Sequence, residues 1–148
     1  MTTSLGADVQ CSIARSLEVV GEKWTLLVVR DALAGATRFS EFQQSLGIAK
    51  NLLADRLATL VEFGIMDRRV YREDGARERN EYVLTDSGRE LMYTIGALLG
   101  WGDAHRPNEL GPTRRLRDAS NGDRLRLAFV NDLGIEVPLD RVLAQTIR

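Results

Sequence analysis

The segment from Lys50 to Thr59 carries side chains that could bind a nucleic acid. Asn51 can form two hydrogen bonds with an adenine edge, and Arg56 can do so with guanine or can bind a phosphate. Lys50, together with the N-terminus of a helix, suits a phosphate. Leu52 could contact a thymine methyl group. The chemistry that these residue types offer is the recognition of double-stranded DNA.

Two features oppose a simple electrostatic attraction to DNA. Asp55 would repel phosphates unless it pairs with Arg56 or Arg79, or accepts a hydrogen bond from cytosine. The chain has a formal net charge of −1, so any attraction to DNA must come from a local arrangement of cations. A polar helix face is also what any solvated amphipathic helix shows, and that interpretation stays open here.

The spacing of apolar residues predicts the helix that carries this segment. Leu53, Leu57, Leu60 and Val61 recur on one face of residues 49–63. This periodicity predicts a helix with the four apolar side chains inward. Asn51, Leu52, Asp55 and Thr59 would then face outward, with Lys50 at the tip and Arg56 on the flank.

Three shorter helices are predicted before it. The first two cover residues 12–20 and 23–33, and the second is apolar nearly all round, as the centre of a small domain would be. The third follows an N-cap at Thr37, with Glu41 near its positive end. A tight turn at Gly47 joins the third helix to the fourth, which is the helix-turn-helix pattern.

A β-hairpin is predicted after the fourth helix. Residues 65–72 and 79–85 are typical of strands, and a polar, glycine-containing loop joins them. A helix-turn-helix followed by a hairpin is the winged-helix plan, an α+β and mainly α fold. Arg72, Arg77 and Arg79 would then reach the DNA backbone or the minor groove. Alternatively they belong to an ordinary charged hairpin, balanced by its acidic residues.

The remaining residues predict a fifth helix over 86–104, a linker over 105–123 and a C-terminal β-hairpin within 124–148. The fifth helix is too long and apolar for so small a domain to bury alone, so we expect it to form a dimer seam with the first helix. The residues predicted at this seam are Ile13, Leu17, Leu91, Ile95, Leu98, Leu99 and Trp101.

Five ordered motifs within residues 11–104 resemble the HxlR family of bacterial regulators. They are Cys11–Leu17 with Gly21–Thr25, Arg38–Phe42, Leu57–Gly64, Glu81–Thr85 and Gly88. The resemblance implies a dimeric winged helix, paired through its first and last core helices, that represses or activates nearby genes. Two recognition helices related by a two-fold axis would then meet a near-palindromic operator. A repressor is the expected form. The residues expected to bind DNA are Arg38, Lys50, Asn51, Leu52, Asp55, Arg56, Arg72, Arg77 and Arg79.

Two parts of the chain depart from the family pattern. A proline often precedes the arginine of the wing, whereas Gly75 and Ala76 precede Arg77 here, which implies a more mobile loop. The neighbouring Glu78 would also weaken attraction to phosphate. Beyond Ala104 the resemblance implies little.

Cys11 precedes the first helix, where a helix N-terminus raises the thiolate fraction of an accessible thiol. Some HxlR-type proteins sense oxidants or electrophiles through a cysteine at this place, so the resemblance implies an oxidant or small-molecule effector. The alternative is a small buried apolar side chain, which free cysteine usually is.

Composition limits the other classes of protein to which the chain could belong. Apolar residues make up 44% and charged residues 28%, as in ordinary globular domains. With one Cys, one His and no glycine-rich phosphate loop, we expect no metal, no cofactor and no enzymatic activity. Residues 1–10 lack a secretory signal and residues 95–101 are too few to span a bilayer, so we expect a cytoplasmic, nucleoid-associated protein. The alternative function is a winged-helix module that binds a protein or small ligand without recognising DNA.

Overall fold

The computed structural model describes residues 11–147, which form two compact units. The first unit extends to Ile95 and the second begins at Gly96, so the division falls inside one helix. Residues 1–10, for which the sequence predicts no secretory signal, lie outside the described part of the chain. Across residues 11–147, none of the helices combines the length and the apolar character that crossing a membrane requires.

The first unit is a winged helix, which confirms the predicted fold class. Its elements are α1 (Ser12–Val20), α2 (Lys23–Leu33), α3 (Phe39–Leu46), α4 (Lys50–Glu62), β1 (Met66–Tyr71), β2 (Arg79–Leu84) and α5 (Asp86–Glu90). The first four helices and both strands lie within one or two residues of their predicted limits, because each has a clear apolar period and a glycine or polar boundary.

The core of this unit forms around α2, which packs against both α3 and α4. Val28 and Val29 of α2 and Phe42 of α3 are fully buried. The predicted inner face of α4 is confirmed, since Leu53, Leu57 and Leu60 are fully buried and Val61 packs against the same core. Burying a leucine contributes roughly 1.5–3 kcal/mol, so this face of α4 is a large part of the unit's stability.

The hairpin β1–β2 and its loop, hereafter the wing, is antiparallel and in register from Met66 opposite Leu84 to Tyr71 opposite Arg79. A third chain segment joins its edge just before α3. Arg38 forms a bridge with Glu81, and the backbone N–H of Tyr82 donates to the carbonyl of Thr37 at 2.7 Å. The wing is therefore hydrogen-bonded to the start of the helix-turn-helix.

The start of α3 corrects one prediction. Thr37 is not its N-cap; the helix begins at Phe39, with Arg38 as the N-cap residue. The Glu41 carboxylate accepts hydrogen bonds from the backbone N–H groups of Thr37 at 2.8 Å and of Arg38 at 3.1 Å. An acidic side chain in the first turn thus accepts from the N–H groups at and just before the N-cap, where its charge also favours the positive end of the helix.

The predicted fifth helix is not continuous, which is a second correction. It divides into α5 and α6 (Met92–His105), with Leu91 between them. The N–H of Leu91 donates to the carbonyl of Gly88 at 3.2 Å, a tight three-residue turn that interrupts the α-helical ladder. A Cβ on Gly88 would lie 2.2 Å from the carbonyl oxygen of Ile65, so only glycine fits where α5 passes the backbone just before β1.

The second unit contains α6 from Gly96 onward, β3 (Phe129–Val130), β4 (Glu136–Val137) and a 3₁₀-helix (Leu139–Arg141). A C-terminal hairpin is present but shorter than predicted, because the alternating residues 124–128 form no strand. Asn131 closes its turn, since the Asn131 side-chain oxygen accepts from the N–H groups of Leu133 and Ile135.

We expect Glu41→Ala to lower the free energy of unfolding by about 0.5–1 kcal/mol near neutral pH, because the helix loses a cap. The effect stays this small because the carboxylate is exposed and solvent screens its charge. The two backbone N–H donors hold the pKa of Glu41 below its ordinary value of 4.5. The contribution is therefore present above that value and is lost as the pH falls through the lower pKa of the folded state. Urea unfolding across a pH series measures it.

The matched control is Gln44→Ala on the exposed side of the same helix. A difference between Glu41→Ala and the parent chain that persists unchanged to strongly acidic pH would contradict this account of the cap.

Candidate nucleic-acid interface

The outward face of α4 is small and polar. Asn51 and Asp55 are exposed one turn apart, and Ala54 and Ala58 are exposed beside them. The alanines leave this face low, so a flat surface can approach the helix axis closely. The N-cap residue Ala49 offers no side-chain acceptor, which leaves the first N–H groups of the helix without a side-chain cap.

Leu52 does not lie where the sequence placed it. Its side chain is half-buried and packs against the core, because it neighbours the inner leucines of the same helix. Thr59, also placed outward, is half-buried, and its hydroxyl donates to the carbonyl of Asp55 at 3.0 Å. The exposed outward face of α4 is therefore narrower than the periodicity predicts.

Arg56 is engaged within the protein, and its contact with DNA stays a prediction. Its guanidinium pairs with Glu22, which precedes α2, and only 20% of the arginine side chain is exposed. The Nε of Arg56 is buried with no hydrogen-bond partner in residues 11–147. The predicted pairing of Asp55 with Arg56 or Arg79 is absent from the ion pairs of the described residues. Position 56 follows Leu53 by one turn, so it lies at the edge of the inner face.

Four of the predicted cations meet in one groove of about 650 Å³ beside the N-terminus of α4. The groove is lined by Arg38, Phe39, Ser40, Lys50, Tyr71, Arg77, Glu78, Arg79, Asn80 and Tyr82. Glu78 is the one acidic residue among them, so the lining carries a clear positive excess although the whole chain does not.

Arg38 is fixed across this groove. Its Nη1 donates to Glu73 at 2.7 Å, and the guanidinium carbon lies 4.4 Å from the centre of the Tyr71 ring. The hydrogen bond to Glu73 raises the pKa of Arg38 above its ordinary value, so the guanidinium stays charged. Sequence reasoning missed Tyr71 and Glu73, because only the strand pairing at Arg38 brings them to it.

Arg72, another arginine of the wing, forms a hydrogen bond within the loop that joins β1 to β2. The Nε of Arg72 donates to the carbonyl of Ala76 at 2.9 Å, and the N–H of Ala76 donates to the carbonyl of Glu73 at 3.0 Å. Gly75 takes a φ of 76°, which favours glycine. One donor of Arg72 is therefore used inside the wing, while Arg77 and Arg79 line the groove.

The residues predicted for a dimer seam divide into two groups. Ile13 and Leu17 on α1 are 72% and 57% exposed, and Leu98 and Trp101 on α6 are more than half exposed. In contrast, three of the predicted seam residues are partly buried. Leu91 and Ile95 pack against the core of the first unit, and Leu99 is half-buried.

Cys11 is exposed, directly before α1. The accessibility that thiol chemistry requires is thus met, and its role as a sensor stays a prediction. In residues 11–147, no three His, Cys, Asp or Glu side chains are grouped as ligands of one metal ion would be.

The sequence model of the HxlR-like helix-turn-helix family matches residues 19–110, which include every element of the first unit from α2 onward. The chain belongs to this HxlR-like family. It is also 45% identical over 112 residues to the HTH-type transcriptional regulator Rv3095 of Mycobacterium tuberculosis, covering 76% of this chain and 70% of that protein. As a member of this HxlR-like family, the protein is a DNA-binding transcriptional regulator.

Solved structures agree with this assignment. The transcription factor PA1607 superposes with a TM-score of 0.78 at 39% identity, over 93% of this chain and 95% of that one. The redox regulator HypR in its reduced form superposes with a TM-score of 0.58 at 30% identity, over 64% of this chain and 92% of that one. PA1607 thus also matches most of the residues that follow the HxlR-like segment.

For this HxlR-like regulator we expect Arg56→Ala to lower the free energy of unfolding by about 1–2 kcal/mol, because the ion pair and the packing of the side-chain stem are both lost. The neighbouring control Asp55→Ala on the exposed face should stay within about 0.5 kcal/mol of the parent chain. Urea unfolding measures both. If Arg56→Ala left the stability unchanged but altered the preference for bases in the DNA site, Arg56 would be a DNA contact rather than a stabilising residue.

Proposed function

We propose that this regulator is a repressor that binds a near-palindromic operator as a homodimer, with α4 of each subunit in the major groove. The observation that carries this proposal is the cationic groove between the N-terminus of α4 and the wing. It supplies, beside an exposed helix face, the local positive charge that a chain of net charge −1 must have to bind DNA.

The proposed base contacts come from α4. A major groove admits one α-helix, whose outer side chains then meet the base edges. Asn51 is exposed in the first turn and suits the two hydrogen-bonding positions of adenine. Asp55, one turn later, suits the amino group of cytosine, and the alanines beside it allow the helix to approach closely.

The proposed phosphate contacts surround that helix. Lys50 and the uncapped N–H groups of α4 suit one phosphate, because both the charge and the helix dipole favour an anion there. Arg77 and Arg79 of the wing suit the neighbouring backbone or the minor groove. Arg38, held by Tyr71 and Glu73, would fix the wing in relation to the helix.

We propose that α1 and α6 supply the dimer seam. The exposed apolar side chains proposed for the seam, Ile13 and Leu17 on α1 and Leu98 and Trp101 on α6, would otherwise remain in water. A two-fold arrangement would place two copies of α4 about one helical turn of DNA apart, ~34 Å, which is the spacing that half-sites of an operator require. Occupation of a site that overlaps a promoter would then exclude polymerase.

We expect Asn51→Ala to weaken binding to the operator by about 1–3 kcal/mol and to relax the preference at one base position, because one bidentate contact is lost. Arg77→Ala should weaken binding to all sequences alike and reduce the slope of log affinity against log salt by about one. The operator is obtained by selecting bound genomic fragments, and affinity is measured by fluorescence anisotropy across a salt series.

The control for both variants is Arg141→Ala, an exposed arginine of the second unit. Affinity of the parent chain that does not fall with rising salt would overturn the DNA contacts. It would leave the alternative of a winged helix that binds a protein or small ligand.

We expect Leu17→Glu to convert a dimer into a monomer at micromolar concentration, because a carboxylate would be placed in an apolar seam. Sedimentation equilibrium measures the mass, and operator affinity should fall with it. The control is Leu133→Glu, at an 82% exposed leucine in the turn between β3 and β4. A parent chain that sediments as a single copy would contradict the seam.

A further inference from the structure

We propose that the second unit binds an amphipathic organic anion, in a cavity of about 740 Å³ between α6 and the loop segments that precede β3. Every residue that lines this cavity belongs to the second unit. Most of them follow residue 110, where the family match ends, so operator binding does not account for them.

Part of the cavity lining is apolar and depends on a glycine. A Cβ on Gly96 would lie 3.1 Å from Cδ1 of Leu116 and 3.2 Å from Cδ1 of Leu127, so glycine lets these leucines pack closely against α6. Leu125 lies beside them in the lining. The leucines offer an apolar surface to the body of a ligand.

One turn along α6, the helix is open to the cavity. Gly100 lines the cavity, and a Cβ built there would meet no atom within 4 Å. A side chain at this position would therefore occupy cavity space rather than displace protein atoms. Gly102 offers a comparison, because a Cβ there would also meet no atom within 4 Å and the residue does not line the cavity.

The cavity also has a cationic part of its lining, and the arginines of this part are hereafter called the rim. Arg114, Arg115 and Arg124 line the cavity, and none of the three forms an ion pair with any residue of 11–147. Arg126 also lines the cavity but its guanidinium is paired with Glu136, whereas Asp103 is the one acidic residue of the lining. Guanidinium groups bind carboxylate, sulfonate or phosphate groups through paired N–H donors, so the rim favours an anionic head group.

The loop that carries this rim is held by its own hydrogen bonds. The N–H of Leu125 donates to the carbonyl of Leu116 at 2.9 Å, and the N–H of Asp118 donates to the carbonyl of Asp123 at 2.8 Å. The side chain of Asp118 accepts from the backbone and the hydroxyl of Ser120. Such pre-organisation reduces the entropy that ordering the site on binding would cost.

Size and chemistry together define the ligand class. Small-molecule sites occupy roughly 300–1,000 Å³ and combine an apolar lining with a few polar groups that set the orientation of the ligand. A lining that combines leucines with arginines outside the ion pairs of residues 11–147 suits a compound with an apolar body and one anionic head group. Medium-chain carboxylates and aromatic sulfonates share that chemistry.

The experiment is isothermal titration of the full-length protein, without DNA, with decanoate and with anilinonaphthalene sulfonate. Decanol and decyltrimethylammonium serve as neutral and cationic comparisons. We expect both anions to bind, and the two comparison compounds to bind at least about tenfold more weakly, since they lack the charge that the rim recognises.

Two pairs of variants test the position of the site. Gly100→Leu should weaken binding of both anions by at least about tenfold, whereas Gly102→Leu should leave it within about twofold. The double variant Arg115→Gln/Arg124→Gln should likewise weaken binding, and Arg106→Gln, outside the lining, should not.

Several results would overturn the proposal. They are a lack of binding by both anions, equal binding of decanol, and unchanged binding in Gly100→Leu. A fourth is a parent chain that binds neither anion together with a Gly100→Leu variant of half the parent's mass in solution. In that case a second copy of the chain, not a small ligand, would occupy the cavity. Because no DNA is present, failure here is independent of failure to bind an operator.

Discussion

The burial of one face of α4 against α2 and α3 is the constraint on which the first unit depends. The three inner leucines of α4 are fully buried, as are the valines of α2 and Phe42 that meet them. Each such side chain contributes a few kcal/mol, and the total stability of a domain is only about 5–15 kcal/mol. The rotation of α4 about its own axis is therefore fixed, and with it the set of side chains that faces outward.

The second constraint is the strand pairing just before α3. Hydrogen bonding between the Thr37 carbonyl and Tyr82, and the stacking of Arg38 on Tyr71, tie the wing to the helix-turn-helix. The cationic groove exists only because of this pairing, since Lys50 comes from α4 while Arg77 and Arg79 come from the wing. A local positive surface thus arises in a chain whose total charge is close to zero.

Much of this architecture could be predicted from sequence, because periodicity and glycine boundaries are local signals. The limits of the first four helices and both wing strands follow from them. What failed depends on contacts distant in sequence. Arg56 pairs with Glu22, which lies 34 positions earlier in the chain, and Gly88 packs against the carbonyl of Ile65. The C-terminal hairpin is limited by strand pairing that alternation does not encode. The groove, likewise, joins Arg38, just before α3, to Arg79 and Tyr82 of β2.

Stability and outward chemistry are assigned to different residues of the same thirteen-residue helix α4. Leu53, Leu57 and Leu60 face the interior, while Asn51, Ala54, Asp55 and Ala58 contribute little to folding because they are exposed. Exchanges at the exposed positions are therefore nearly neutral for the fold. A duplicated copy of the gene for this protein can thus acquire a preference for a new DNA sequence through a few substitutions on the exposed face of α4. None of these substitutions needs to produce an unstable protein on the way.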